Sequence, residues 1–529
     1  MRHDALHRRR GAAPTISVPL ALSRRETAIG VLLFLILLVC YTYTFPRWAD
    51  WNQNSRLNLT MAIVDRGVLY IDDYYQGHTQ TGDYAEYDGH VYSDKAPGAA
   101  LLGVPFYWVF RTVTGTEAFR WLVGHLQGNA AISATLTAGG TGVLPAKVHA
   151  AAALATVTLG VVAIPSALLG VLLYRYTRDL TTAIAPRVAA VLLYGLATSA
   201  YPYSGSFYGH QMVAATLFAA FFLAYRLRRG PGGPPSVFGV GLLLAWAVIS
   251  EYPAALIAAV IGVYLAVHLR NRARLAWALA GAALPIALWM AHNMAIFGRP
   301  MMLGYSYSTL YLDKHNVGFM SLTYPSLASL WGITFGSFRG LFYLSPILLI
   351  ALPGFVLMAR QAHVRAEALV CLAAFIAFMA FNASSVMWEG GFAVGPRYLV
   401  PMLPFMVPPL LVALESLGRS HAGRAVTALL AAWSFVAVWA ETLGGQSFPD
   451  WTPDPLFQYS LERLAQGDVA RNVGTVLGLR GLTSLLPLGV IVGALLIALA
   501  WVAGRPTEAG AITSVKHHVR VAGALHEPD

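Results

Sequence analysis

Cysteine is almost missing from this sequence: Cys40 and Cys371 are the only two in 529 residues. Both fall within apolar runs, which excludes a disulfide framework and a cysteine-ligated zinc site and leaves them as small buried side chains. Charge is scarce too, at 12% Asp, Glu, Lys and Arg, about half of what a soluble domain carries. No basic stretch is interleaved with aromatics in a solvated segment, so the net charge of +11 does not mark a nucleic-acid surface. Nucleotide and haem signatures are absent, which argues against an oxidoreductase. The Arg-rich start and the apolar run after it have the order of a signal peptide. Yet the run continues through Tyr41, Tyr43 and Phe45 without a small-x-small cleavage site, so it reads as an uncleaved first helix. No internal repeat is visible.

What is abundant is apolar chain, 57% of all residues. Runs of roughly 17 to 25 residues, long enough to cross a bilayer, recur throughout. The pattern predicts an all-α integral membrane protein of about twelve spans, near 28–45, 148–174, 188–205, 208–225, 236–250, 252–268, 275–297, 341–359, 366–386, 398–415, 425–443 and 484–503. The break at Glu251-Tyr252-Pro253 separates the fifth and sixth. With a cytoplasmic N-terminus (1–27) and tail (504–529), the short inner loops hold most of the 36 Lys and Arg, and the outer segments most of the 25 Asp and Glu. This is the positive-inside pattern, so the net charge reports topology. Counting Pro97–Val113 as a span would invert every later loop. It is therefore expected to lie as an interfacial helix, with Trp108 and Arg111 at headgroup level, inside a long outer loop, 46–147. Further outer loops fall at 298–340, 387–397 and 444–483.

A connection between two spans needs few residues, so an outer loop this long and acidic is expected to carry chemistry. It holds Asp50, Asp65, Asp72, Asp73, Asp83, Glu86, Asp88 and Asp94, with Arg56 among them, and ends in Lys95-Ala96-Pro97-Gly98. A lone lysine before a helix-start proline is most simply a snorkelling side chain. At headgroup depth, however, a cation beside the first free amides of a helix also forms a phosphate site, and Asp94 could orient Lys95 there or be a solvated acid. Arg397 and Tyr398, which follow Gly395-Pro396, divide evenly between interfacial anchors and a guanidinium fork on phosphate, with Tyr398 and Trp388 as stacking faces for a sugar. Glu251 stands between two apolar runs with no loop to solvate it, and so needs a partner. His210 titrates in a useful range but is more often a satisfied interfacial histidine.

The ionisable groups near span ends collect on the outer side, and this arrangement resembles the GT-C superfamily of membrane glycosyltransferases. Within it the likeness is to the phospholipid-carrier-dependent branch, which includes protein O-mannosyltransferases and lipid A aminoarabinose transferases. The resemblance covers most of the chain through topology. At motif level, Arg56 in Gln53-Asn54-Ser55-Arg56-Leu57 resembles the arginine of the family's acid-led signature, Lys95-Ala96-Pro97-Gly98 resembles its loop turn, and Trp388 to Tyr398 is similar to an aromatic Gly-Pro-Arg-Tyr segment. The family's leading aspartate is replaced by Gln53, and an amide cannot serve as a base.

The resemblance implies transfer of a sugar from a polyprenyl-phosphate carrier to an extracytoplasmic acceptor, with Lys95, Arg397 and Arg56 on the donor phosphate. Asp72, between aromatics and beside Asp73, is the first choice of base, since a neighbouring carboxylate raises its pKa. Asp50, Asp65 and Glu251 follow. The family is divided on a divalent metal, and no ligand set here decides the cofactor question. A lipid or polysaccharide flippase shares the size, topology and basic inner loops, and Gln53 also admits a non-catalytic assembly subunit. A transporter places polar groups along a path through the spans, whereas an enzyme collects them on one face.

Overall fold

The computed structural model describes residues 23–47, 50–230, 232–449 and 452–505. The start of the basic N-terminus, Pro231 of the Gly230–Pro235 turn and the tail from residue 506 lie outside the described residues. The chain has a helical, multi-pass membrane fold. Among the described residues, eight helices are long and apolar enough to cross a bilayer, including α1 (Arg24–Tyr43), Pro145–Thr177, Gly209–Arg229 and Arg397–Leu417. Four shorter apolar helices, Ile184–Leu196, Pro234–Ser250, Ala254–His268 and Pro346–Ala359, fall at the remaining four expected spans.

Local chemistry explains the main departures from uninterrupted spans. Pro145–Thr177 contains a π turn at Leu159–Ala163, where Gly160 leaves room for the ring of Phe106. The stretch expected as one span at 188–205 is instead broken after Leu196, and a short helix follows at Ala200–Ser204. The Thr198 hydroxyl there donates to the Tyr194 carbonyl and accepts from the Ala200 amide, taking up backbone groups freed by the break. Glu251 closes Pro234–Ser250, and the next helix starts after Pro253.

The first loop is folded. Its leading element, α2 (Trp51–Arg66), begins with Asp50 accepting from the Gln53 amide and ends at Gly67 in the left-handed region, cap residues suited to each end. The helix is polar in composition yet buried from Asn52 to Ala62. Its side chains satisfy the loop that covers it: Asn54 and Asn58, one turn apart, donate to the carbonyls of Gln80 and Thr79, and Ser55 bonds Ser93. A hairpin of β1 (Tyr84–Tyr87) and β2 (His90–Ser93) adds a two-stranded sheet to the otherwise helical fold. Asp88 and Gly89 both take positive φ at its turn, the geometry that matches strand twist in a two-residue loop.

Helix α3 (Gly98–Thr114) occupies the segment expected to be interfacial. At Gly98 a Cβ would lie 2.3 Å from Ser250 Oγ and 2.9 Å from the Ile249 carbonyl, so α3 abuts the end of helix Pro234–Ser250 only because that residue has no side chain. This contact fixes Lys95 near Glu251. Both cysteines are free and buried.

Candidate active site

Five parts of the chain enclose a cavity of about 440 Å³: the first turn of α2 with Asp83 and Lys95, the start of helix Gly209–Arg229, the link at Glu251–Leu256, the loop at 303–322 and the stretch 378–401. Asp50, Arg56, Lys95, His210, Glu251, Arg397 and Tyr398 all line it.

Asp50 caps α2 from the cavity wall. One carboxylate oxygen accepts the Gln53 amide at 3.2 Å and the other accepts the Tyr208 hydroxyl in a short bond. Burial pushes its pKa above the ordinary aspartate value, against the opposing effect of Tyr208. Gln53 points elsewhere. Its amide donates to the Arg47 carbonyl at 3.2 Å and accepts the Phe207 amide at 2.7 Å. A carboxylate could not donate to Arg47, so glutamine is the residue type that ties α2 to both strands of chain.

Beside Asp50, Arg56 pairs with Glu251 at 2.6 Å and also donates to Asn52. Glu251 lies 3.6 Å from His210 Nδ1. The pair is closed by Gly209, where a Cβ would stand 2.3 Å from the Glu251 carboxylate. Glu251 thus has the partner its position demands, and the Arg56 charge is largely compensated.

Lys95 is gripped by two carboxylates, Asp83 at 2.9 Å and Asp94 at 3.1 Å. Burial works against its ammonium, but the two acids more than reverse this and raise its pKa. Burial likewise raises Asp94, with Lys95 opposing. With two of its three N–H donors committed to these acids, the ammonium keeps one for an acceptor in the cavity, and it fills the space that a cation between Asp83 and Asp94 would need. No group of three or more His, Cys, Asp or Glu placed to hold a metal ion occurs among the described residues.

Arg397 differs from the other cations. It forms no ion pair with a carboxylate among the described residues, its Nε has no hydrogen-bond partner, and its guanidinium carbon lies 5.3 Å from the Tyr208 ring and 5.2 Å from that of Tyr398. The loop that presents it needs glycine, since Gly390, Gly391 and Gly395 all have positive φ. Arg339 pins this loop by donating to the carbonyls of Glu389, Gly391 and Pro449.

Other expected site residues are placed apart from the cavity wall. Asp72 accepts the Val91 amide and pairs with His90, each at 2.7 Å, so it anchors the hairpin. Asp65 accepts the hydroxyls of Tyr74 and Tyr107 and pairs with Arg111, bolting α2 to α3. Trp388 packs on Gly332, while its neighbours Met387 and Glu389 line the cavity. Asp94 stands behind Lys95, bonded also to Ser308. Three cavity residues were not singled out from the sequence: Asp83, Tyr208, and Tyr305, whose ring centre lies 6.0 Å from the Lys95 ammonium. Only the aromatic next to Gly209 offered a local signal, because the Asp83 contact is made by the fold of the loop.

No family model matches the chain. No curated protein matches its sequence. Among solved structures, it aligns with ArnT from Cupriavidus metallidurans in the apo state at 12% identity and a TM-score of 0.42, over 79% of this chain and 70% of that one. It also aligns with the apo oligosaccharyltransferase of Archaeoglobus fulgidus at 12% identity and a TM-score of 0.43, over 79% of this chain and 56% of that one, little more than half the second protein's length. Alignments at this level leave the site chemistry to be read from this chain's own residues.

Proposed function

We propose that the chain is a membrane glycosyltransferase that moves a sugar from a polyprenyl-phosphate carrier to an acceptor on the outer side of the membrane. One observation carries this reading: a single cavity holds a buried carboxylate with a raised pKa, Asp50, together with a guanidinium that has no ion-paired carboxylate among the described residues, Arg397, and tyrosine faces beside both. The reaction is a displacement at the anomeric carbon. Asp50 takes the proton of the acceptor hydroxyl as that oxygen attacks, while Arg397 stabilises the charge that gathers on the departing lipid phosphate. The rings of Tyr208 and Tyr398, one stacked and one edge-on against His210, supply surfaces of the kind that pack on sugars. Arg56, neutralised by Glu251, shapes the wall, and Glu251 stands beside His210. Lys95, its charge shared by Asp83 and Asp94, is the secondary cation.

The distribution of charge favours this over a flippase. Helix Gly209–Arg229 has His210 at its cavity end and Arg226, Arg228 and Arg229 at the other. Between them Phe218, Phe221 and Phe405 pack with centroids 5.6 to 5.7 Å apart, and at the far end Arg228 and Tyr264 are consumed by Glu367. The cavity's polar groups are thus separated from those of the far end by an aromatic layer rather than joined to them by a polar path.

The test is reconstitution of the purified chain in vesicles with a radiolabelled polyprenyl-phosphate sugar and cell-envelope acceptors. Release of polyprenyl phosphate coupled to acceptor labelling is the expected outcome. Movement of intact lipid-linked sugar between leaflets without cleavage would replace the transferase by the flippase, and neither activity would leave the assembly-subunit reading.

A further inference from the structure

A second cavity, of about 560 Å³, lies on the other side of the segment that leads into Asp50. Its floor is apolar: Leu122 and Leu126 of helix Glu117–Gln127 face Ala151 and Ala155, one turn apart on the helix that starts at Pro145. Its charged lining is of one sign. Arg47, Lys147 and Arg471 line it, and no Asp or Glu among the described residues does.

Neither arginine has an ion pair among the described residues. Arg47 is 7% exposed, donates to the Thr442 carbonyl, rests 4.8 Å from the Phe448 ring and keeps an Nε with no partner. Arg471 donates only to neutral oxygens of Thr135, at 2.7 and 2.9 Å. The acid that acts on it, Asp468, is shared with Arg463 and Gln446. The helix starting at Pro145 adds the positive end of its dipole, with no side chain capping its first turn. One buried and one half-buried guanidinium, neither held in an ion pair among the described residues, above an apolar slot of ligand size, describe the complement of an anionic amphiphile.

We propose that this cavity binds an acidic phospholipid of the surrounding leaflet, its phosphate between Arg47 and Arg471 and the upper part of a chain against Ala151 and Ala155. The site is independent of the transfer chemistry. Its link to that chemistry is spatial: Arg47 receives the Gln53 side chain on its carbonyl, so an occupied lipid site braces the turn that carries Asp50.

The test uses the full-length chain in nanodiscs, with binding of labelled phosphatidylglycerol measured against phosphatidylcholine and inorganic phosphate. Saturable binding of phosphatidylglycerol that neither competitor displaces is expected. Arg47→Gln and Arg471→Gln should each weaken it about tenfold or more, the cost of one charge-assisted hydrogen bond. Ala155→Phe fills the slot without touching a cation and should abolish binding, which keeps the test decisive if either arginine variant fails to fold. Arg397→Ala should bind phospholipid normally even where donor binding is lost, separating failure of this site from failure of the transferase. Equal binding of phosphatidylcholine, displacement by free phosphate, or full binding in folded Ala155→Phe would each overturn the proposal.

Discussion

Asp50 and Arg397 divide the proposed work between a base and an anion-binding cation, and each makes a separable prediction. Asp50→Asn should lower turnover by about 100- to 10,000-fold, the usual contribution of a positioned base, with donor affinity retained. Because burial raises the Asp50 pKa, the folded state binds its proton more readily than the unfolded chain, so the charged form costs stability that returns as pH falls through the raised value. The Asn variant should therefore melt no lower than the unaltered chain at neutral pH, and the acid limb of the unaltered enzyme's pH–rate profile should lie above the ordinary carboxylate range. Arg397→Met should cost about 1.5 to 3 kcal/mol of donor binding, or roughly 10- to 150-fold in Kd by titration, with expression unchanged. Asp72→Asn is the contrasting case. Its carboxylate serves the Val91 amide and His90, so turnover should persist while the hairpin loosens, and loss of turnover at full stability would return Asp72 to the role of base. Lys95, Glu251 and Arg397 were visible because they interrupt or flank apolar runs, and Arg56 because the residues around it resemble a family signature. The choice among the loop's acids was not, since each carboxylate's role is set by partners such as Tyr107 or Tyr208 that lie 42 and 158 positions away.

At the scale of elements, hydropathy located the apolar helices but gave no sign of α2. A helix that buries Asn54, Ser55 and Asn58 violates the apolar-inside pattern by which buried helices are recognised. It is stable because those side chains bond the carbonyls and hydroxyls of the segment folded over it, a pairing that no one-dimensional reading contains. Prolines and glycines were more informative, as Pro253 marks a break and Pro97-Gly98 the start of α3. The close approach at Gly98 makes a prediction: Gly98→Val drives side-chain atoms into Ser250 and the Ile249 carbonyl. Overpacking of this kind typically costs about 1 to 3 kcal/mol. Thermal unfolding should fall accordingly, and donor-dependent turnover should fall with it, because Lys95 rides on the same turn. A variant of unchanged stability would show that α3 docks elsewhere.

For the whole molecule, the remaining question is which way the helix ends face. Among the described residues eight helices meet the length and apolarity of a span, and the four shorter ones are individually marginal against a hydrocarbon core of about 30 Å, so length alone does not fix the number of crossings. Charge does more. The arginines at the end of helix Gly209–Arg229 sit with Glu367 and the His363 carbonyl, gathering basic residues at the end opposite the cavity, as the positive-inside rule requires if the cavity opens outward. That orientation puts residue 120, on the helix Glu117–Gln127, on the outer side and residue 230, at the turn beyond Arg229, on the cytoplasmic side. Both positions are exposed, and the native Cys40 and Cys371 are fully buried, so an impermeant thiol reagent should see only an introduced cysteine. Arg120→Cys should be labelled in intact cells and Gly230→Cys only after permeabilisation. Labelling of both from one side would change the parity of the crossings between them, and with it the outward-facing donor site and the twelve-span arrangement on which the transferase proposal depends.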